Sequence, residues 1–151
     1  MPQGTEGSNP SPSAFEIFMS DEHKTKVLLL DDEKFLVEMY KIKFEQSGYE
    51  VSAFFSAYDA LEALRKGYDP DVMLIDITIP NSISGYEFLE MIKKEGLSRY
   101  SLKIALTNAG QDAEIARMAE LGAHTHLLKA NFVPAGIVAA VTEMLKTKRS
   151  S

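Results

Sequence analysis

The sequence predicts an α/β fold: a (βα)5 doubly wound sheet of five parallel strands with helices on both faces. Three observations predict it. Five apolar runs of strand length recur along the chain, stretches with helical apolar spacing separate them, and a glycine stands where each of the first four helices should stop. Strands alternating with helices of this length require right-handed crossovers, and therefore a parallel sheet covered on both sides.

The strand candidates are VLLL (27–30), YEVSAFF (49–55), VMLI (72–75), LKIAL (102–106) and HTHLL (124–128). Continuous apolar runs bounded by turn residues suit strands buried on both faces. Leu36, Tyr40 and Phe44 mark one face of the first helix, with Met39 beside them. Ala57, Ala60, Leu61 and Leu64 mark the second, and Gly85, Phe88, Leu89 and Ile92 the third. Ile115, Met118 and Ala119 mark the fourth, and Ile137, Val141 and Leu145 the fifth. Gly48, Gly67, Gly96 and Gly122 follow the first four helices, where the left-handed cap conformation suits glycine.

A chain of 151 residues fits one domain, and 45% apolar residues supply its core. The net charge of −6 argues against a nucleic-acid surface, which needs basic residues to neutralise phosphates. No cysteine is present, which excludes disulfides and thiolate chemistry and suits a reducing, cytoplasmic location. No apolar run approaches the length of a membrane span, and MPQGTEGSNPSPSAF lacks the regions of a secretory signal. That Gly-, Ser- and Pro-rich start predicts a disordered extension over residues 1–24, with Met19 as an alternative beginning. The ordered domain is expected over 25–147, with a polar tail at 148–151.

In open parallel sheets, function collects beyond the carboxyl ends of the strands. Asp31, Asp32 and Glu33 follow the first apolar run and Asp76 the third; Thr107 and Asn108 follow the fourth, and Lys129 the fifth. Singly, each has a plain structural use: an aspartate or threonine caps a helix, and a lysine snorkels from a strand end. Together they are harder to explain that way. Clustered carboxylates raise one another's pKa, and Mg²⁺ relieves the repulsion where one or two acids join waters and a phosphate. The set describes a carboxylate that receives a phosphoryl group, with Mg²⁺ and Lys129 neutralising its oxygens.

The motifs LLLDDE, MLIDITIP, SGYEFL, IALTNAG and GAHTHLLKA, in this order and spacing, resemble the receiver domains of two-component response regulators, the CheY-like superfamily. The resemblance covers residues 25 to 147 and implies a flavodoxin-like fold in a stand-alone receiver. It implies that Asp76 accepts phosphate from a histidine kinase or histidine phosphotransfer protein. Asp32 would bind Mg²⁺ directly and Asp31 mainly through water, with the Thr78 backbone carbonyl as a third protein ligand beside Asp76. Thr107 would hydrogen-bond the phosphoryl group and shift toward it. Lys129 would pair with Asp76 and then with the phosphoryl oxygens. The chain would be a phosphoacceptor that loses its phosphate slowly by itself, not an enzyme acting on other substrates. Its message would pass by contact through the face of the fourth helix, fifth strand and fifth helix, to a downstream protein or to a second copy in a phosphorylation-dependent homodimer.

Four features depart from the family pattern. Ala130 stands where proline usually follows the lysine, so a trans bond and a reshaped loop are expected. Asn108 stands where a small residue usually follows the threonine, and its amide would contact the phosphate or restrict water and donor access. The loop DITIPNSISG is one residue longer than usual. His126 occupies the aromatic switch position, where a ring can fill the space Thr107 vacates; the plain alternative is a strand-edge histidine. The Ala130 and Asn108 departures keep open an alternative, a degenerate receiver acting as a docking module independent of phosphorylation. A haloacid dehalogenase-type aspartyl phosphatase would need a second acid two residues beyond Asp76, where Thr78 stands. A nucleotide-binding fold would need a glycine-rich loop after the first strand, where DDEKF stands.

Overall fold

In a computed structural model the chain is described over residues 24–78, 83–108 and 111–150. The expected disorder of the extension falls on residues 1–23, and the added loop residue on 79–82; both lie outside the described residues. Among the described residues, five strands alternate with five helices: β1 (Lys26–Leu30), α1 (Lys34–Gln46), β2 (Glu50–Phe54), α2 (Ala57–Arg65), β3 (Val72–Asp76), α3 (Gly85–Glu95), β4 (Leu102–Thr107), α4 (Asp112–Glu120), β5 (Thr125–Leu128) and α5 (Pro134–Ser150). All pairings are parallel, in the order β2-β1-β3-β4-β5. This is the doubly wound sheet predicted from the sequence.

Side chains alternate across each strand, so every central strand feeds two cores. Val27, Leu29, Val72, Leu74, Ile104 and Leu106 meet α1 and α5 through Tyr40, Phe44, Ile137 and Val141. Leu28, Leu30, Met73, Ile75 and Ala105 meet α2, α3 and α4 through Leu61, Phe88, Leu89, Ile92 and Met118. The inner strands β3 and β4 are buried throughout, whereas the edge strands β2 and β5 are mostly half-buried.

Three expectations need correction. The buried stripe of α1 is Val37, Tyr40 and Phe44, while Leu36 is only partly covered and Met39 is exposed. In α4 only Met118 is fully buried, and Ala119 faces outward. The expected tail at 148–151 is helical as far as Ser150, because lysine and arginine are good helix formers and no glycine or proline interrupts them. Gly48, Gly67, Gly96 and Gly122 all carry positive φ, as their places after the helices predict.

One close approach positions the site. A Cβ at Gly85 would lie 2.3 Å from the Asp76 carbonyl oxygen and 2.6 Å from the Ile77 Cα. The first turn of α3 thus rests on the backbone that leaves β3, and Gly85 N–H donates to the Ile77 carbonyl at 3.2 Å. The helix start is fixed by Ser84, whose hydroxyl accepts from the Glu87 N–H while the Glu87 carboxylate accepts from the Ser84 N–H.

Candidate functional site

Because all five strands run the same way, their carboxyl ends share one edge, and there the polar residues meet. Asp31 follows β1, with its N–H donating to the Phe54 carbonyl of β2 at 3.2 Å. Its side chain is 2% exposed. Oδ1 accepts from the Glu33 N–H at 3.0 Å. Asp76 closes β3 and is buried as well; its Oδ1 accepts from the Thr78 N–H at 3.0 Å and the Thr78 hydroxyl at 3.2 Å.

Lys129 follows β5, in a short 3-10 turn over Lys129–Asn131, with its side chain 7% exposed. Its ammonium lies 2.7 Å from Asp31 Oδ2 and donates to Asp76 Oδ2 and Glu33 Oε1, each at 3.3 Å. The Lys129–Ala130 bond is trans, as expected; no cis bond occurs among the described residues. Thr107 ends β4 and is buried, with Asn108 exposed beyond it. His126 pairs with Ala105 across β4 and β5 and lines a cavity of about 160 Å³ with Ile115 and Met118 of α4.

One cation is thus shared by three acids. Burial pushes the Asp31 carboxyl up to about 6, and the Asp76 charge adds to this against the pull of Lys129 and the Glu33 N–H. Burial acts downward on Lys129, but its bond to Asp31 and the charges of Asp31 and Asp76 outweigh it, so its pKa is raised. The lysine is over-supplied with partners while Asp31 remains under-compensated.

A divalent cation suits that deficit. Oxygens from Asp31, Asp32 and Asp76 lie within 4.8 Å of one another, and Asp31 Oδ2 is buried without a well-aligned hydrogen-bond donor. Hard carboxylate oxygens are the ligands Mg²⁺ prefers. Asp32 is half-buried and Thr78 exposed, so the cluster opens to solvent on that side. Sequence reasoning assigned no contact to Glu33, although it is the third acid of the DDE triplet. It also missed the Thr78 hydroxyl, whose only signal is its place two residues after Asp76.

Among curated proteins, the chain is 27% identical over 121 residues to the phosphate regulon transcriptional regulatory protein PhoB of Klebsiella pneumoniae, covering 80% of this chain and 52% of that protein. It is 30% identical over 121 residues to the response regulator SaeR of Staphylococcus aureus, covering 80% of this chain and 50% of that one. The chain therefore spans about half the length of these relatives. The fold is shared with a CheY-like receiver domain protein from Methanospirillum hungatei, with a TM-score of 0.74, 23% identity and coverage of 84% of this chain and 98% of the other. Residues 27–142 match the family described as the response regulator receiver domain. With that match running from β1 into the first half of α5 and taking in every strand-end residue named above, the chain belongs to the response regulator receiver family.

Proposed function

We propose that Asp76 accepts a phosphoryl group, in a Mg²⁺-dependent transfer from a histidine kinase or histidine phosphotransfer protein, and that this switches a protein-interaction surface. Receiver domains as a family are signalling domains that work with histidine kinases and downstream effectors. The observation that carries the finer reading is the Lys129 ammonium held between buried Asp31 and Asp76, beside an open cluster of three carboxylates.

In the transfer, a carboxylate oxygen of Asp76 attacks phosphorus, the P–N bond of the phosphohistidine breaks, and the imidazole departs and takes up a proton. When bound, Mg²⁺ neutralises charge on the transferring oxygens. Asp32 and the Thr78 carbonyl are the candidate direct ligands with Asp76, and Asp31 the candidate ligand through water. Lys129 can exchange its contact with Asp76 for the new phosphoryl oxygens without leaving Asp31. The Thr107 hydroxyl at the end of β4 and the Asn108 amide just beyond it are the candidate donors. Thr107 moving toward the phosphate would vacate space beside β5, and His126 would respond. That would carry the change to the face formed by α4, β5 and α5, where a downstream protein or a second copy would dock.

The test is intact mass after incubation with acetyl phosphate and Mg²⁺, alongside Asp76→Ala. The expected result is a gain of one phosphoryl group, lost without Mg²⁺ and lost in the variant. No gain with any phosphodonor would overturn the proposal in favour of a docking module independent of phosphorylation.

A further inference from the structure

At the opposite edge of the sheet from Asp76, below the amino ends of β4 and β5, lies a cavity of about 260 Å³. Leu89 and Leu121 give it apolar walls. Among the described residues its charged lining is of one sign, with Lys93, Arg99 and Lys103 beside His124 and no carboxylate. In a chain of net charge −6 such a concentration of cations runs against the composition.

Lys103 is the centre of this arrangement. The residue is 7% exposed, yet among the described residues its ammonium has no carboxylate hydrogen-bond partner: it donates to the Ser98 carbonyl at 2.8 Å and the Ser101 carbonyl at 3.1 Å. Carbonyls satisfy two of its three N–H groups and neutralise none of its charge. Burial holds its pKa below the ordinary lysine value; Lys148 acts in the same direction and Asp69 against it. Ser98, whose carbonyl receives that ammonium, has a φ of 47°, the only positive φ among the described residues other than glycine. Such a conformation persists where its surroundings hold it. His124 completes the set. Its Nδ1 accepts from the Lys103 N–H at 3.0 Å, which leaves Nε2 to carry the proton and donate.

We propose that this cavity binds a small organic anion: a carboxylate or phosphate-type head between Lys103, Arg99 and His124, on a compact apolar body against Leu89 and Leu121. Small-ligand sites combine such apolar walls with a few convergent polar groups. The anion supplies the charge that Lys103 lacks, and the site is independent of the chemistry at Asp76.

The experiment is a titration of the full-length ¹⁵N-labelled chain with phenylphosphonate, whose P–C bond makes it no phosphoryl donor to Asp76. Saturable amide shifts are expected at Gly96, Arg99, Lys103, Gly122 and His124, with none from benzyl alcohol, an uncharged ligand of similar size. Arg99→Gln should weaken binding about tenfold, the equivalent of one charge-assisted hydrogen bond, and Lys103→Met should abolish it. Arg99 is exposed, so its variant decides the matter even if Lys103→Met fails to fold. Shifts that do not saturate, that centre on Asp31 and Thr107, or that persist unchanged in Arg99→Gln would overturn the proposal.

Discussion

Lys129 lies nearer to Asp31, at 2.7 Å, than to Asp76, at 3.3 Å, and both carboxylates are buried. The ammonium is therefore anchored by the acid that follows β1 and reaches the acid that ends β3 with slack to spare. Removing the cation leaves two buried carboxylates facing each other. Breaking a buried pair in this way costs about 3–5 kcal/mol. Lys129→Met should lose stability on that scale in metal-free urea unfolding, and part of the loss should return on adding Mg²⁺. A loss under about 1 kcal/mol would mean that the acids take up a proton instead of repelling.

The same deficit predicts metal-linked stability. A ligand that binds only the folded chain stabilises it by mass action, about 1.4 kcal/mol at ten times its dissociation constant. Mg²⁺ should therefore raise the thermal midpoint of the wild-type chain. Asp32→Asn should remove most of that increment while leaving the metal-free midpoint nearly unchanged, because Asp32 is only half-buried. An equal increment in Asp32→Asn would exclude this carboxylate as a ligand.

Gly85→Ala separates helix propensity from packing. Alanine favours a helix over glycine by about 1 kcal/mol, but here its Cβ would stand 2.3 Å from the Asp76 carbonyl oxygen. Backbone cannot step aside as a side chain can, so overpacking of about 1–3 kcal/mol should win. The variant should unfold at lower denaturant and take up phosphate more slowly from acetyl phosphate, since the displaced backbone carries the acceptor. A stabilised variant with unchanged uptake would show that α3 can move away freely.

The fold was legible because β1 and β3 are buried on both faces and spell that out as the unbroken runs VLLL and VMLI, while β4, LKIAL, is broken by the buried Lys103. Edges and helix faces were harder. Tyr49 and Phe55 extend the apolar run around β2, yet neither is in the strand: the Tyr49 hydroxyl bonds the Thr142 hydroxyl at 2.7 Å, and Phe55 is exposed. The stripe of α1 shifted by one residue, to Val37, because Leu36 and Val37 satisfy a helical period almost equally well. At the site, strand direction alone brought Asp31, Asp76, Thr107 and Lys129 to one edge. The preference of Lys129 for Asp31, and its bond to Glu33, depend on side-chain reach across the β1 and β5 loops. No spacing in the sequence encodes that reach.

His124 predicts a pH dependence of stability. Partial desolvation of its ring, on a residue that is otherwise exposed, followed by the charges of Lys103 and Lys148, holds its pKa below the ordinary 6.5. Glu143 lines the neighbouring groove with His124 and Lys148, but the net direction remains downward. The folded ring thus binds protons less readily than the unfolded one. As pH falls through 6.5, the unfolded chain takes up a proton that the folded chain resists, and stability declines. Asp31 works in the opposite sense: its raised carboxyl pKa favours the folded state as pH falls through about 6. A comparison with His124→Asn cancels that contribution, because Asp31 is present in both proteins. Asparagine also keeps an oxygen where Nδ1 accepts from the Lys103 N–H. Between about pH 7.5 and pH 5.5, the wild-type urea midpoint should fall relative to that of the variant. Parallel midpoints across this window would mean that the ring is protonated as readily in the folded chain as in the unfolded one, and that Lys103 and Lys148 exert no net repulsion on it.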